Sequence, residues 1–206
     1  MKKILVVTLA LAVLLGALAA VGCGGDTGKA KAYMEEGDAL SKKMRSLTGD
    51  AVFDSGALLA ELGIQVSETG DIDPQTITDA ANKQIDTIIA NGEKAKSEYE
   101  KVLDLSGVDA YKLYAEQRIK AIDSTILVLE AVKGLLDKLG DPTNKESVND
   151  TVARWAKSNL RVSVDAVKAF TSWRSAEQIK KENNLGPVEE VGDVPAESSP
   201  STSAPK

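Results

Sequence analysis

Histidine is missing altogether from this chain of 206 residues, cysteine occurs once, and aromatic residues make up only 4% of it. Without an imidazole there is no Ser-His or Cys-His nucleophile, no Glu-x-x-His di-iron site and no imidazole zinc site. The lone Cys23 excludes an intramolecular disulfide. With so few rings, a core has to be filled by aliphatic side chains and alanine. Proline is scarce where it would interrupt structure: Pro187, Pro195, Pro200 and Pro205 crowd the end, leaving Pro74 and Pro142 alone in the rest. Everything between them is free to be helix.

Other signatures are missing too. No G-x-x-x-x-G-K phosphate loop occurs, and the one Ser with a Lys three residues later, Ser203 before Lys206, stands at the extreme end of the chain. The chain carries 31 acidic against 25 basic residues, a formal charge of -6, which argues against nucleic acid as a partner. Loss of residues 1–22, with Lys2 and Lys3, would take the charge to about -8.

What is present begins with an export signal. Met1-Lys2-Lys3 is a short positive start, and Ile4 to Val21 is an apolar run interrupted only by Thr8. It ends in Ala20-Val21-Gly22-Cys23, which resembles the lipobox of bacterial lipoproteins, although leucine is commoner where Ala20 stands. The resemblance covers residues 1–23 and no more. It implies cleavage after Gly22, a diacylglyceryl group and fatty acyl chains of the palmitate type on the Cys23 thiol, and anchoring to the extracytoplasmic face of the cell membrane. Two or more acyl chains suffice for stable anchoring. The alternative keeps the run as an uncleaved membrane helix. Both readings put the remainder outside the cytoplasm.

The mature chain divides into a tether at 23–28 containing Gly24, Gly25 and Gly28, a helical bundle at 29–186, and a disordered tail at 187–206 rich in Pro, Ser and Glu. Apolar residues recur at helical spacing almost throughout. A first helix is expected at about 29–47, with Ala30, Tyr33, Gly37, Leu40, Met44 and Leu47 on one stripe. A short apolar stretch follows from Ala51 to Leu62. Asp73-Pro74 opens a long helix striped by Ala81, Ile85, Ile88, Ala95, Tyr99 and Val102. Ser106 with Asp109 caps the next, which runs to Leu139, and Thr143 with Glu146 caps a last one that continues unbroken to Lys181. The expected fold class is therefore all-α, an elongated up-and-down bundle of three long helices and one or two shorter ones.

Two heptad ridges stand out. Asp109, Glu116, Asp123, Glu130 and Asp137 each follow a residue of the seam Val108, Ala115, Ile122, Leu129 and Leu136, and Arg154, Arg161 and Lys168 recur at seven in the last helix. The spacing predicts that these ridges face each other and fix register, or else that the basic one faces anionic lipid. Trp155 and Trp173, five turns apart, are expected on one face with Val162 and Ala166. That face is either core or the aromatic wall of a ligand pocket.

The sequence thus points to a membrane-anchored envelope lipoprotein acting as a protein-interaction or structural module. The alternative is a small-molecule-binding or sensory bundle with Trp155 and Trp173 facing the ligand. Catalysis, a cofactor and a metal are not expected. The expected partners are the membrane, through Cys23, and an envelope protein that the sequence does not identify.

Overall fold

A computed structural model describes residues 26–45 and 74–189. Within them the fold is all-α, as the periodicity implied: α1 over residues 26–45, α2 over Pro74–Leu103, α3 over Asp109–Gly140, α4 over Val148–Ser158 and α5 over Leu160–Glu182. The lipobox residues Ala20, Val21 and Gly22, the anchor Cys23, the stretch Ala51 to Leu62 and the tail beyond Glu189 lie outside the described residues. No helix among the described residues is long and apolar enough to cross a membrane.

Neighbouring helices run antiparallel, and their contacts show it. Along α2 and α3, Lys96 meets Asp123, Asp86 meets Lys133 and Asn82 meets Asp137, so one number falls as the other rises. Between α1 and α5 the same reversal links Asp38 to Lys180 and Arg45 to Trp173. α3 is the central element, packing on α2, α4 and α5. At about 1.5 Å per residue, α2 and α3 are each on the order of 45 Å long.

The stripes read from sequence are the buried faces. Ala81, Ile85, Ile88, Ala95, Tyr99 and Val102 of α2 are all buried, as are Val108, Ala115, Ile122, Leu129 and Leu136 along α3. The core falls into two layers. One is built on Ile85, Ile88, Leu129, Leu135, Leu136 and Trp155, the other on Met34, Tyr99, Tyr114, Ile122, Ala169 and Trp173, with Ile89 touching both.

Several boundaries differ from the expectation. α1 is already helical at residue 26, so Gly28 belongs to the helix and not to a tether. The turn between α2 and α3 uses Gly107 in the left-handed region (φ 69°), but Ser106 does not cap α3. Instead its amide donates to Asp26 Oδ2 at 3.4 Å. Thr143 starts no helix, because its amide and hydroxyl both donate to Asp141 Oδ1, at 2.8 and 2.7 Å. The N-cap falls to Ser147, whose Oγ accepts from the Asp150 amide at 3.1 Å.

The last helix is two helices. Ser158 and Asn159 turn their side chains back onto carbonyls of the preceding turn: Ser158 Oγ donates to Arg154 O at 2.8 Å, and Asn159 Nδ2 to Trp155 O at 2.9 Å. Such back-bonding competes with the regular ladder and bends or ends a helix. The shared face expected for the two tryptophans is therefore divided. Trp155 joins Val162 and Ala166 in one core layer, while Trp173 sits in the other.

Candidate functional site

The largest concentration of chemistry is a buried polar network that draws on four helices. α1 contributes Asp38 and Ser41, α2 Tyr99, α3 Tyr114 and Arg118, and α5 Trp173, Glu177 and Lys180. Three donors converge on the Asp38 carboxylate. The Tyr99 and Tyr114 hydroxyls donate to Oδ1 at 2.7 and 2.5 Å, and Lys180 Nζ donates to Oδ2 at 2.6 Å. Since each phenol has one proton and spends it on Asp38, Ser41 must be the donor in its 3.3 Å bond to the Tyr99 oxygen. By the same logic the Tyr114 oxygen accepts from Arg118 Nε at 2.5 Å.

Arg118 is the centre of the arrangement, with its side chain 1% exposed. One terminal nitrogen donates to Glu177 Oε1 and lies 3.7 Å from Asp38 Oδ1. The guanidinium carbon stands 4.2 Å from the centre of the Trp173 ring, a stacking that suits its delocalised charge. Nη1 is a buried nitrogen with no hydrogen-bond partner among the described residues; the ring face beside it offers partial compensation. Burial opposes the charge on Arg118, but Tyr114, Tyr99, Asp38 and Glu177 more than reverse this, so its pKa is raised. Burial likewise pushes both tyrosines well above their ordinary value of 10.0.

The end of the described chain closes over this network. Leu185 is buried, and the Glu189 amide donates to Glu177 Oε2 at 2.7 Å. The Glu189 carboxylate meets Arg45 at 3.3 Å. Residues 187–189, expected at the start of a disordered tail, thus form a strap. Beneath it lies a cavity of about 400 Å³ whose lining includes Met34, Asp38, Lys42, Lys180 and Leu185.

The two tryptophans singled out in the sequence do not meet in a pocket. Trp173 is 1% exposed, with Arg118 against its ring and Arg45 at 5.6 Å. Trp155 is buried, donates its indole N–H to Ala131 O at 3.1 Å, and borders a polar cavity of about 250 Å³ with Asn144, Thr151 and Arg154.

The charge ridges also pair otherwise than expected. The acidic ridge of α3 faces α2: Asp123 binds Lys96 at 2.7 Å and Asp137 accepts from Asn82 at 3.2 Å. The Asp123 hydrogen bond raises the Lys96 pKa. Among the described residues the basic ridge pairs with local acids, Glu146 for Arg154 and Asp165 for both Arg161 and Lys168. The two ridges therefore do not fix the register between α3 and the last helices, because they point to different sides of the bundle.

Asp38, Arg118, Glu177 and Lys180 were not singled out from the sequence. A signal was there: Arg118 falls on the buried side of the seam between Ala115 and Ile122, and Glu177 and Lys180 lie four and seven residues after Trp173, on its face. Among the described residues no group of three or more carboxylates or thiols could hold a metal ion.

The fold and site define an all-α bundle with an internally neutralised charge network. No family model, curated protein or solved structure matches the chain.

Proposed function

We propose that the chain is a lipid-tethered module of the cell envelope that works through its outer surface, in protein interaction or as a structural spacer. The observation that carries this reading is the internal pairing of the buried charges. Two acids and two bases, Asp38 and Glu177 with Arg118 and Lys180, are used on one another, and both tryptophans are core residues. A group already committed to buried partners is poorly placed to act on a substrate. The signal run and the lipobox-like end at Cys23 support tethering from the sequence side.

The reading is tested by mass spectrometry of the N-terminal peptide of the membrane-extracted protein, joined to in-cell crosslinking. An acylated Cys23, and an envelope protein captured with wild type but not with Cys23→Ala, are the expected results. An unmodified Cys23 still preceded by residues 1–22 would overturn the anchor.

One observation favours a second reading, a small-molecule-binding bundle. The cavity of about 400 Å³ under residues 185–189 is within the size range of ligand sites. Its polar wall is Glu35, Asp38, Lys42, Lys180 and Glu189, so the ligand would be small and polar, and it would not stack on Trp155 or Trp173. Thermal-shift screening with Lys42→Ala as the control tests it.

A further inference from the structure

Between residues 151 and 181 the exposed charges of α4 and α5 are all basic, and the exposed acids of the two helices, Asp150 and Glu182, stand at the two ends of that stretch. From Thr151 to Lys181 the chain has two acidic residues, Asp165 and Glu177, and both are buried. Arg154, Lys157, Arg161, Lys168, Arg174 and Lys181 are all exposed. In a protein with a formal charge of -6, this surface is a cationic island.

The crest is apolar over the first two turns of α5, before exposed Thr171, Gln178 and Glu182 continue it as a polar line. Leu160, Val164 and Val167 are 72%, 52% and 60% exposed. They recur at i, i+4 and i+7, on the side of α5 opposite the buried Val162, Ala166, Ala169, Trp173 and Ala176. Helical geometry places Arg161 and Lys168 along one flank of this crest and Arg174 and Lys181 along the other. Asp165 binds Arg161 and Lys168 at 3.5 and 3.4 Å from the core side of that flank, and Glu146 binds Arg154 at 2.6 Å. Lys157, Arg174 and Lys181 make no ion pair among the described residues.

We propose that this face of α4 and α5 lies on an anionic bilayer surface, with Leu160, Val164 and Val167 entering the headgroup region and the flanking bases meeting lipid phosphates. Complementary charge argues for an anionic partner, and aliphatic side chains flanked by bases argue for a bilayer. The exposed crest is aliphatic over Leu160, Val164 and Val167 and carries no aromatic side chain. Protein interfaces are centred instead on aromatic anchors and pockets. The inference rests on the proposed anchor at Cys23, which stands three residues before the start of α1 at Asp26 and would hold the flank of the bundle within reach of the membrane.

The test uses the full mature chain in vesicles of phosphatidylcholine with or without phosphatidylglycerol. A polarity-sensitive dye is placed at Val164→Cys, with Glu130→Cys on the exposed side of α3 as reference. The Val164 dye is expected to shift to the blue and to be quenched from within the bilayer only when phosphatidylglycerol is present. The Glu130 dye should do neither. Replacing Arg161, Arg174 and Lys181 by Glu together should weaken the response at least tenfold with helix content unchanged. A Val164 dye equally exposed in both vesicles, or a response indifferent to charge reversal, overturns the proposal and leaves an acidic protein surface as the partner to seek. The mass of the Cys23 peptide separates the two readings. An acylated Cys23 with an exposed dye defeats only the membrane-lying face. An unmodified Cys23 defeats the anchor, and the dye is then read with vesicles added from outside, where the same two outcomes decide the face.

Discussion

Gly37 has no room for a side chain. A Cβ there would stand 2.7 and 2.8 Å from Cε1 and Cζ of Tyr99, and that ring cannot step aside without giving up Asp38 and Ser41. Gly37→Ala should therefore lower stability by about 1 to 3 kcal/mol, although alanine gains about 1 kcal/mol in helix propensity. A denaturant midpoint that falls at constant slope is the expected result, and an unchanged or higher midpoint would mean that the ring is not held. At the centre of the network, Glu177→Leu leaves the buried Arg118 guanidinium with only its longer, 3.7 Å ion pair to Asp38 among the described residues and should cost up to about 3 kcal/mol. Combining it with Arg118→Met removes both charges, and the double variant should lose less than the sum of the singles. Additive losses in that double-mutant cycle would show that the two side chains are not coupled.

Within the elements, burial decides the cost of a substitution more than residue type does. Leu127 and Leu129 are both on α3, yet Leu129 is fully buried and Leu127 is 44% exposed. Leu129→Ala should cost about 2 to 5 kcal/mol and Leu127→Ala within about 0.5 kcal/mol. Equal losses in chemical denaturation would contradict the orientation of α3. The helical faces were legible in the sequence because spacing alone reports them: every apolar position read along α2 and along the α3 seam is buried. The break at Ser158-Asn159 was not legible, since both residues are compatible with a helix and only their back-bonding to Arg154 and Trp155 reveals the bend. The pairing of ridges failed for a related reason. Periodicity gives the side of a helix that carries charge, but it does not say which neighbour that side meets. Asp38, Arg118 and Glu177 were hidden because a lone charge on a stripe has no meaning until its partners, 59 and more positions away, are known.

Taken whole, the molecule should be sensitive to alkali. Tyr99 and Tyr114 have pKa values raised by burial above the ordinary 10.0. A raised folded-state pKa gives stability that is fully present below the unfolded value and is lost as pH climbs from about 10 toward the folded value. The denaturant midpoint should fall steadily above that pH, and tyrosinate absorbance from these two rings should rise together with loss of helix. Ionisation of both while the bundle remains folded would show that their hydroxyls are accessible. Because Ile89 bridges the two core layers, the transition should be single. The strap ties α1 and α5 into that unit through Arg45 and Glu177.

That strap bears on when the protein can fold. Asp38, near the start of the bundle, is bound by Lys180, 142 positions later, and Glu177 is completed by the amide of Glu189. A chain that emerges from its start, whether from a ribosome or through an export channel, has Asp38 and both tyrosines in place long before their cationic partners arrive. The network can close only once Glu189 is out, so until then the layer around Tyr99, Tyr114 and Trp173 stays unfinished even where the layer around Ile85, Leu129 and Trp155 is complete.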